Sequence, residues 1–227
     1  MLVPLSHRPP TGTTTGGTVA SVSEDHYFSA QPASADERRL IPVRLAGRDV
    51  EVETASGIFS PGHIDLGTQV LLRHLPPAPA GAVLDLGCGW GPLALTAALG
   101  TADARVTALD VNRRALDLAS RNAARLGVAD RVAAVTADEV PADARFDAIW
   151  SNPPIRIGKD ALHELLAAWL PRLAADGEAW LVVQRNLGAD SLARWISDQR
   201  GADGEPWGRL EKVGSAKGFR VLRLVRD

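Results

Sequence analysis

The 227-residue chain contains one cysteine, Cys88, three lysines (Lys159, Lys212 and Lys217) and no excess of positive charge. A lone thiol closes no internal disulfide, which fits a reducing compartment. With 25 Lys and Arg against 27 Asp and Glu the formal net charge is −2. That excludes a basic coat around the whole molecule but not a local basic face. The longest uncharged central stretch, 86–102, is interrupted by Gly87, Gly89, Gly91 and Pro92, whereas a membrane-spanning helix needs about 20 mainly apolar residues. The N-terminus lacks the apolar block of a secretory signal, and a cytoplasmic protein is expected. The five histidines (His7, His26, His63, His74, His163) show no metal-ligand spacing, so no metal site is expected.

What is present is an ordinary globular composition. A hydrophobic share of 45% and a charged share of 23% support a core without covalent staples. Residues 1–22, dominated by Thr, Gly and Pro, read as a flexible tail. Residues 23–227 read as one domain, in which 23–75 extend a core at 80–227. Apolar and polar residues alternate from Val43 to Thr54 around Gly47-Arg48-Asp49, the signature of a β-hairpin. A loop follows from Gly57 to Asp65, and Asp65 is placed to cap a helix over 66–75 that Pro76-Pro77 ends. From Ala82 onward, strand-like runs (82–86, 105–109, 131–135, 146–150, 179–184, 219–225) alternate with helical patterns at 92–99, 112–126, 159–174 and 190–199. That rhythm predicts βαβ units. Residues 209–213 and 219–225 have only Gly214-Ser215-Ala216-Lys217-Gly218 between them, predicting a terminal antiparallel hairpin. The expected fold is α/β and Rossmann-like, with a mostly parallel seven-stranded sheet, a C-terminal antiparallel hairpin and an N-terminal β-hairpin extension. Trp169, Trp180 and Trp195 fall within helix or strand patterns and are expected in the core.

Two segments carry chemistry. The first is Asp85-Leu86-Gly87-Cys88-Gly89-Trp90-Gly91, a glycine-rich turn between a strand and a helix. Glycine permits positive φ and close backbone approach to a ligand, and the first turn of a doubly wound sheet lies at the ligand-binding carboxyl edge. The spacing is G-x-G-x-G, not the dinucleotide G-x-G-x-x-G, and no P-loop Lys-Ser/Thr follows. Asp85 would repel a diphosphate but suits a ligand with an ammonium group, such as the methionine end of S-adenosylmethionine. Cys88 within the turn reads as a small packed side chain. Asp110, at the end of the next strand, can accept both ribose hydroxyls of an adenosine or cap the helix that starts near Asn112. Asp138 is a candidate for the adenine amine, or a plain turn acid.

The second segment is Ser151-Asn152-Pro153-Pro154-Ile155 at a strand end. Two prolines remove two N–H donors and fix φ, so the turn offers acceptors from a stiff backbone. The Asn152 side chain and the Pro153 carbonyl can hold both hydrogens of a planar amine and aim its lone pair at a methyl group. By analogy with oxyanion-hole donors, such an acceptor pair contributes roughly 3–4 kcal/mol. The reading alone leaves a proline-stiffened strand end as the plain alternative.

At these residues the sequence resembles the class I S-adenosylmethionine-dependent methyltransferases. More narrowly, it resembles the RsmC-like small-subunit ribosomal RNA guanine-N2 methyltransferases. The resemblance runs from about His26 to Val225. It rests on His26-Tyr27-Phe28-Ser29, Gly57-Ile58-Phe59-Ser60, Asp65-Leu66-Gly67-Thr68, the glycine turn, Asn152 to Lys159, Val182 to Ala189, and Lys217-Gly218-Phe219. It implies S-adenosyl-L-methionine as cofactor, with S-adenosyl-L-homocysteine as product. Asp85, Gly87 and Gly89 are then expected to cradle the methionine end. Asp110 and Asp138 are expected to hold ribose and adenine, with Cys88, Val111 and Asn112 as further cofactor contacts. Asn152, Pro153, Pro154 and Ile155 are expected to line the reaction centre, Asn152 touching the cofactor as well. Phe59, Ser60 and Asp65 are expected against the cofactor or the target base. Related Asn-Pro-Pro enzymes often carry an aromatic residue where Ile155 stands, so stacking on the base is expected elsewhere, with Phe59 the candidate. The additional N-terminal domain of the family's long members has no counterpart in these residues.

The expected partner is ribosomal RNA or the small ribosomal subunit, with no membrane and no metal; a monomer is expected and a dimer left open. Arg156 and Lys159 flank the catalytic turn, and Lys217 lies in a terminal segment with Arg209, Lys212, Arg220, Arg223 and Arg226. Together these can form a basic rim on phosphates, or a solvated hairpin face. Two rivals stand beside the RNA reading, with a nicotinamide oxidoreductase third behind them. One is a glutamine carboxamide of a release factor as acceptor. The other is a non-catalytic S-adenosylmethionine-binding ribosome assembly factor.

Overall fold

The computed structural model describes residues 37–201 and 203–226. The tail expected at 1–22 and the segment His26–Ser29 lie outside the described residues. In chain order the elements are β1 (Arg38–Leu45), β2 (Arg48–Ala55), α1 (Leu66–Leu72), β3 (Ala82–Leu86), α2 (Pro92–Gly100), β4 (Arg105–Leu109), α3 (Arg113–Arg125), β5 (Val132–Val135), β6 (Phe146–Ser151), α4 (Lys159–Trp169), β7 (Leu173–Gln184), α5 (Ala189–Asp198), β8 (Arg209–Ala216) and β9 (Phe219–Val225).

The seven-stranded sheet has the order β5-β4-β3-β6-β7-β9-β8. Every neighbouring pair from β5 to β7 is parallel, and β9 runs antiparallel to both β7 and β8. The central strands are apolar on successive residues because both faces are covered. Val83, Val106, Ala148, Trp150 and Val182 pack with α1, α2, α3 and the β1–β2 hairpin. Leu84, Leu109, Ile149 and Leu181 pack with α4 and α5 on the other face. Helix α5 buries Ala189, Leu192, Ala193 and Ile196, a spacing of 3, 4 and 7 that puts one stripe on the sheet. Trp169 and Trp180 are buried as expected. Trp195 is half-buried, stacked on His163 with ring centroids 3.8 Å apart.

Several boundaries differ from the sequence expectation. The N-terminal hairpin starts five residues earlier, at Arg38, and turns on Ala46-Gly47 instead of Gly47-Arg48-Asp49. Both turn residues have positive φ, 47° and 76°, the geometry that matches strand twist in a two-residue hairpin. Helix α1 stops at Leu72, short of 75, before the prolines are reached. The helix expected over 159–174 ends at Trp169, because Pro171 cannot continue it. Strand β7 therefore begins at Leu173, not 179, with a shift in register where Phe146 pairs Leu173 and Ala148 pairs Glu178. The terminal hairpin turns on Lys217-Gly218 alone, φ 50° and 82°, since β8 continues to Ala216 through an irregularity at Val213. Among the described residues no helix is long and apolar enough to cross a membrane.

Candidate active site

Strand β3 has β4 on one side and β6 on the other. The loops that leave β3 and β6 therefore diverge at the carboxyl edge and open a crevice, the place where doubly wound sheets bind ligands. The Gly87 turn leaves β3 and the Asn152-Pro153-Pro154 turn leaves β6. A Cβ built on Gly87 would lie 4.0 Å from Pro154 Cδ, so the two turns face each other.

A cleft lies there. Its lining unites eight residues singled out in the sequence: Phe59, Ser60, Asp65, Asp85, Gly87, Cys88, Gly89 and Asn152. Thr68, Trp90, Pro92 and Leu93 complete it. Those four carry no sequence signal of their own; only their nearness to Asp65 and to the glycine turn points to them.

The glycine turn is held by its backbone. The amides of Gly87 and Cys88 donate to Leu109 O at 2.8 and 2.9 Å, and Gly89 N donates to Asp110 Oδ2 at 2.9 Å. Gly87 and Gly89 have φ of 79° and 55°, and a Cβ on Gly89 would meet nothing within 4 Å. Those positions thus leave open space where a ligand's backbone-like end can lie. Gly91, φ 95°, turns the chain into α2, whose first residue is Pro92.

Asp85 is buried at the end of β3. Its Oδ2 accepts from Ala94 N at 2.9 Å, while Oδ1 is buried without a partner. Burial raises its carboxyl to about 7, opposed by the Ala94 bond and reinforced by the Asp110 charge. A buried acceptor without a donor is costly. An ammonium group would supply the missing donor and the opposite charge together, so these residues fit the methionine end of S-adenosylmethionine. Cys88 is buried, and burial pushes its thiol well above the ordinary value, consistent with a packed and unreactive side chain.

Asp110 closes β4 with both oxygens engaged, Oδ2 to Gly89 N and Oδ1 to Asn112 N at 2.9 Å each. Burial raises its carboxyl, against the lowering effect of those N–H groups. Val111 beside it is 53% exposed. Asn112 is turned inward: its Oδ1 caps α3 through Arg114 N and Ala115 N, and its Nδ2 donates to Gly57 O at 2.9 Å. Its side chain thus braces the loop that carries Phe59. Asp138 is exposed on a single 3₁₀ turn after β5, its carboxyl held below the usual range by the Thr136 hydroxyl.

Asp65 caps α1, its Oδ2 accepting from Gly67 N at 2.8 Å and Thr68 N at 3.3 Å. The same oxygen accepts from Asn152 Nδ2 at 2.8 Å, and Thr68 Oγ1 accepts from that nitrogen at 3.0 Å. Pro153 is buried, Pro154 and Ile155 are half-buried, and Ile155 opens a 3₁₀ turn, 155–157. Phe59 is 45% exposed at the cleft; Ser60, φ 49°, donates its hydroxyl to His63 O at 2.7 Å.

Arg156, Lys159 and Lys217 are exposed at the carboxyl edge, and none has an ion pair among the described residues. Arg185, at the end of β7, joins them: its amide donates to Gly218 O at 2.8 Å beside Lys217. The other terminal cations are taken up inside the protein, which corrects the broader basic rim. Lys212 and Arg220 pair with Asp190, Arg209 with Glu211, and Arg223 with Glu178 and Glu211. Arg226 donates to Pro171 O and Leu173 O at 2.7 and 2.9 Å. Among the described residues, no cluster of three or more His, Cys, Asp or Glu could hold a metal ion.

A seven-stranded sheet of this order, with a glycine cradle beneath a buried acid and an Asn-Pro-Pro turn across the switch point, defines a class I S-adenosylmethionine-dependent methyltransferase. The methyltransferase small domain family matches residues 49–223, and the chain belongs to it. Among its relatives, the uncharacterized protein YbxB of Bacillus subtilis (strain 168) is 34% identical over 206 residues, covering 89% of this chain and 98% of that protein. Ribosomal RNA small subunit methyltransferase C of Pseudomonas entomophila (strain L48) is 34% identical over 211 residues, covering 90% of this chain but 59% of the relative. The solved structure of the T. thermophilus 16S rRNA N2 G1207 methyltransferase (RsmC), in complex with AdoMet and guanosine, matches with a TM-score of 0.71 at 23% identity. It covers 86% of this chain and 52% of that one, and at that identity it bears on the fold. The chain thus spans little more than half the length of the RsmC relatives and nearly all of YbxB.

Proposed function

We propose that the protein methylates an exocyclic amine, guanine N2 of small-subunit (16S) ribosomal RNA. The observation that carries this reading is the state of the Asn152 amide. Its nitrogen is already bonded to two acceptors, Asp65 and Thr68, which leaves Oδ1 as the end available to a substrate. An acceptor in a cleft, on a turn whose two prolines lack N–H groups, suits a donor such as an aromatic NH2. The relatives named for ribosomal RNA methylation support the choice of RNA.

S-adenosylmethionine, when bound, supplies a methyl group on a sulfonium centre. Asp85 would hold the ammonium of its methionine end, the Gly87–Gly89 turn would admit that end closely, and Asp110 and Asp138 lie at the strand ends suited to the adenosine. Asn152 Oδ1 and the Pro153 carbonyl accept the two amine hydrogens and keep the nitrogen lone pair directed across the cleft. Held so, the amine loses less entropy on reaching the reactive geometry. After transfer the surplus proton passes to water, so no buried base is required. Phe59, exposed at the cleft mouth, offers the aromatic face for the base that Ile155 lacks. A base within a duplex must be flipped out or already unpaired to enter.

Tritiated methyl transfer to purified small subunits, free ribosomal RNA and total protein, with Asn152→Ala alongside, tests this. The expected result is label in RNA, recovered as N2-methylguanosine after digestion and lost with Asn152→Ala. Label confined to protein would move the assignment to a carboxamide acceptor. Cofactor binding without any label would favour a non-catalytic role.

A further inference from the structure

We infer that Asp65 is a positioning residue: it selects which end of the Asn152 carboxamide faces the substrate. This rests on the amine reading above. The two ends of a carboxamide have almost the same shape and opposite chemistry. A half-turn about the last side-chain bond would replace an oxygen that accepts with an NH2 that donates. Facing a target amine, the NH2 would leave donor against donor and abolish the hold on the substrate.

Nothing in Asn152 itself decides between the two orientations. Thr68 does not decide either, because a hydroxyl both donates and accepts. The ionised Asp65 carboxylate can only accept, and its Oδ2 stands 2.8 Å from Asn152 Nδ2. With the amide reversed, two oxygens would meet at that distance. The bond is also charge-assisted, and so stronger than one between neutral groups.

Asp65 is itself fixed. The oxygen that takes Asn152 also takes the amides of Gly67 and Thr68, so the first turn of α1 clamps it. Gly67 lets that turn sit flush on the site: a Cβ there would fall 2.9 Å from Phe219 Cε1, 3.0 Å from Asp65 Oδ2 and 3.2 Å from Asn152 Nδ2. The start of α1, the end of β6 and the start of β9 thus meet at one amide. The pairing spans 87 positions of sequence and fixes the orientation before any substrate arrives.

Asp65→Asn separates this role from a structural one. Asn caps a helix about as well as Asp, so the fold and α1 are retained, but Asn can offer either an acceptor or a donor to Asn152 and no longer selects. The first readout needs no substrate. In the ¹⁵N-labelled cofactor-free protein, the Asn152 side-chain NH2 signals, identified by their loss in Asn152→Ala, are expected to be shifted and slow to exchange with water. In Asp65→Asn they are expected to lose that protection. An Asn152 pair that exchanges as freely as surface amides in the parent protein overturns the inference.

The second readout is kinetic, at saturating cofactor, on whichever acceptor the parent protein labels. Asp65→Asn is expected to lower kcat by about 10- to 100-fold, with cofactor Kd within about threefold of the parent. Thr68→Val is expected to lower it less, with the hydroxyl restored in Thr68→Ser recovering the rate. A parent-like kcat in Asp65→Asn overturns the inference. So does a cofactor Kd weakened beyond about tenfold with kcat intact, which would place Asp65 on the cofactor. A parent protein that labels neither RNA nor protein defeats the functional reading by itself, and the amide signals then still decide whether Asp65 orients Asn152.

Discussion

At the residue scale the most consequential side chain is Asp85, because one of its oxygens is buried without a donor and its carboxyl is raised by burial to about 7. The sign of its effect on stability follows from the direction of that shift. The folded, cofactor-free protein keeps a proton on Asp85 that the unfolded chain gives up from near pH 4, so stability falls as pH rises from about 4 to 7 and then levels. The displacement corresponds to a loss on the order of 4 kcal/mol across that window. Urea denaturation at pH 5 and pH 8 should reveal much of this fall in the cofactor-free protein, and Asp85→Asn should diminish it, keeping the share of the likewise raised Asp110. In the proposed function Asp85 holds the cofactor's ammonium, and that role requires its carboxylate form. Below pH 7 association should therefore expel close to one proton, read by titration calorimetry in buffers of different ionisation enthalpy. Proton release that is absent at pH 6, or unchanged in Asp85→Asn, would mean that the ammonium is held elsewhere.

Among the elements, the β1–β2 hairpin depends on a side chain that local sequence does not mark. Asn122, fully buried in α3, accepts from Glu53 N at 2.6 Å and donates to Glu53 O at 3.0 Å and Trp90 O at 3.1 Å. It ties the hairpin's second strand, 69 positions before it in sequence, to the glycine turn, 32 positions before it. Asn122→Ala would leave three backbone groups without their partner, the buried Trp90 carbonyl and the part-buried Glu53 N–H and carbonyl, and a loss of about 2–4 kcal/mol in denaturant unfolding is expected. Amide exchange should quicken first in Glu51–Thr54, and cofactor affinity should fall because Trp90 lines the cleft. A loss of stability below about 0.5 kcal/mol would mean that water replaces the asparagine. The hairpin itself was legible, since alternation over a few residues is a local pattern. So were the glycine turn and Asn152-Pro153-Pro154, whose backbone consequences are fixed by residue type. Asn122 was not, because an asparagine within Arg113–Arg125 reads equally as a surface residue until its partner is known. Thr68 and Trp90 reach the cleft as neighbours of Asp65 and of the glycine turn, and nothing in either residue alone marks it as a cleft residue. The helical pattern near 170 runs on through a leucine-rich stretch that Pro171 cuts, and β7 gains its first residues by pairing Leu173 with Phe146, a contact no local window contains.

On the scale of the whole molecule, the composition correctly shows a near-neutral chain and cannot show which cations are spent internally. Six basic residues after 208 suggested a broad phosphate-binding hairpin, yet five of them are held by Asp190, Glu178, Glu211 and two backbone carbonyls. Arg156, Lys159, Arg185 and Lys217 remain without ion pairs among the described residues, and all four stand at the carboxyl edge of the sheet, beyond β6 and β7. The β9 turn brings Lys217 to Arg185 through the Gly218–Arg185 bond, so the fold gathers a small basic edge on a chain of net charge −2. Such an edge sets a numerical limit on RNA binding. Each phosphate neutralised contributes a slope of about −0.9 on duplex or −0.7 on single strands to the log–log salt dependence of affinity. Four cations therefore predict a slope of roughly −3 to −4. Lys217→Ala should make it shallower by about one while weakening all RNA sequences alike. Binding isotherms between 50 and 300 mM salt, on a small-subunit RNA fragment with parent and variant, measure this. A slope steeper than about −6 would require the Asp190 and Glu211 pairs to open onto phosphate. A slope near zero would remove phosphate contact, and the RNA assignment with it, in favour of an acceptor recognised without charge.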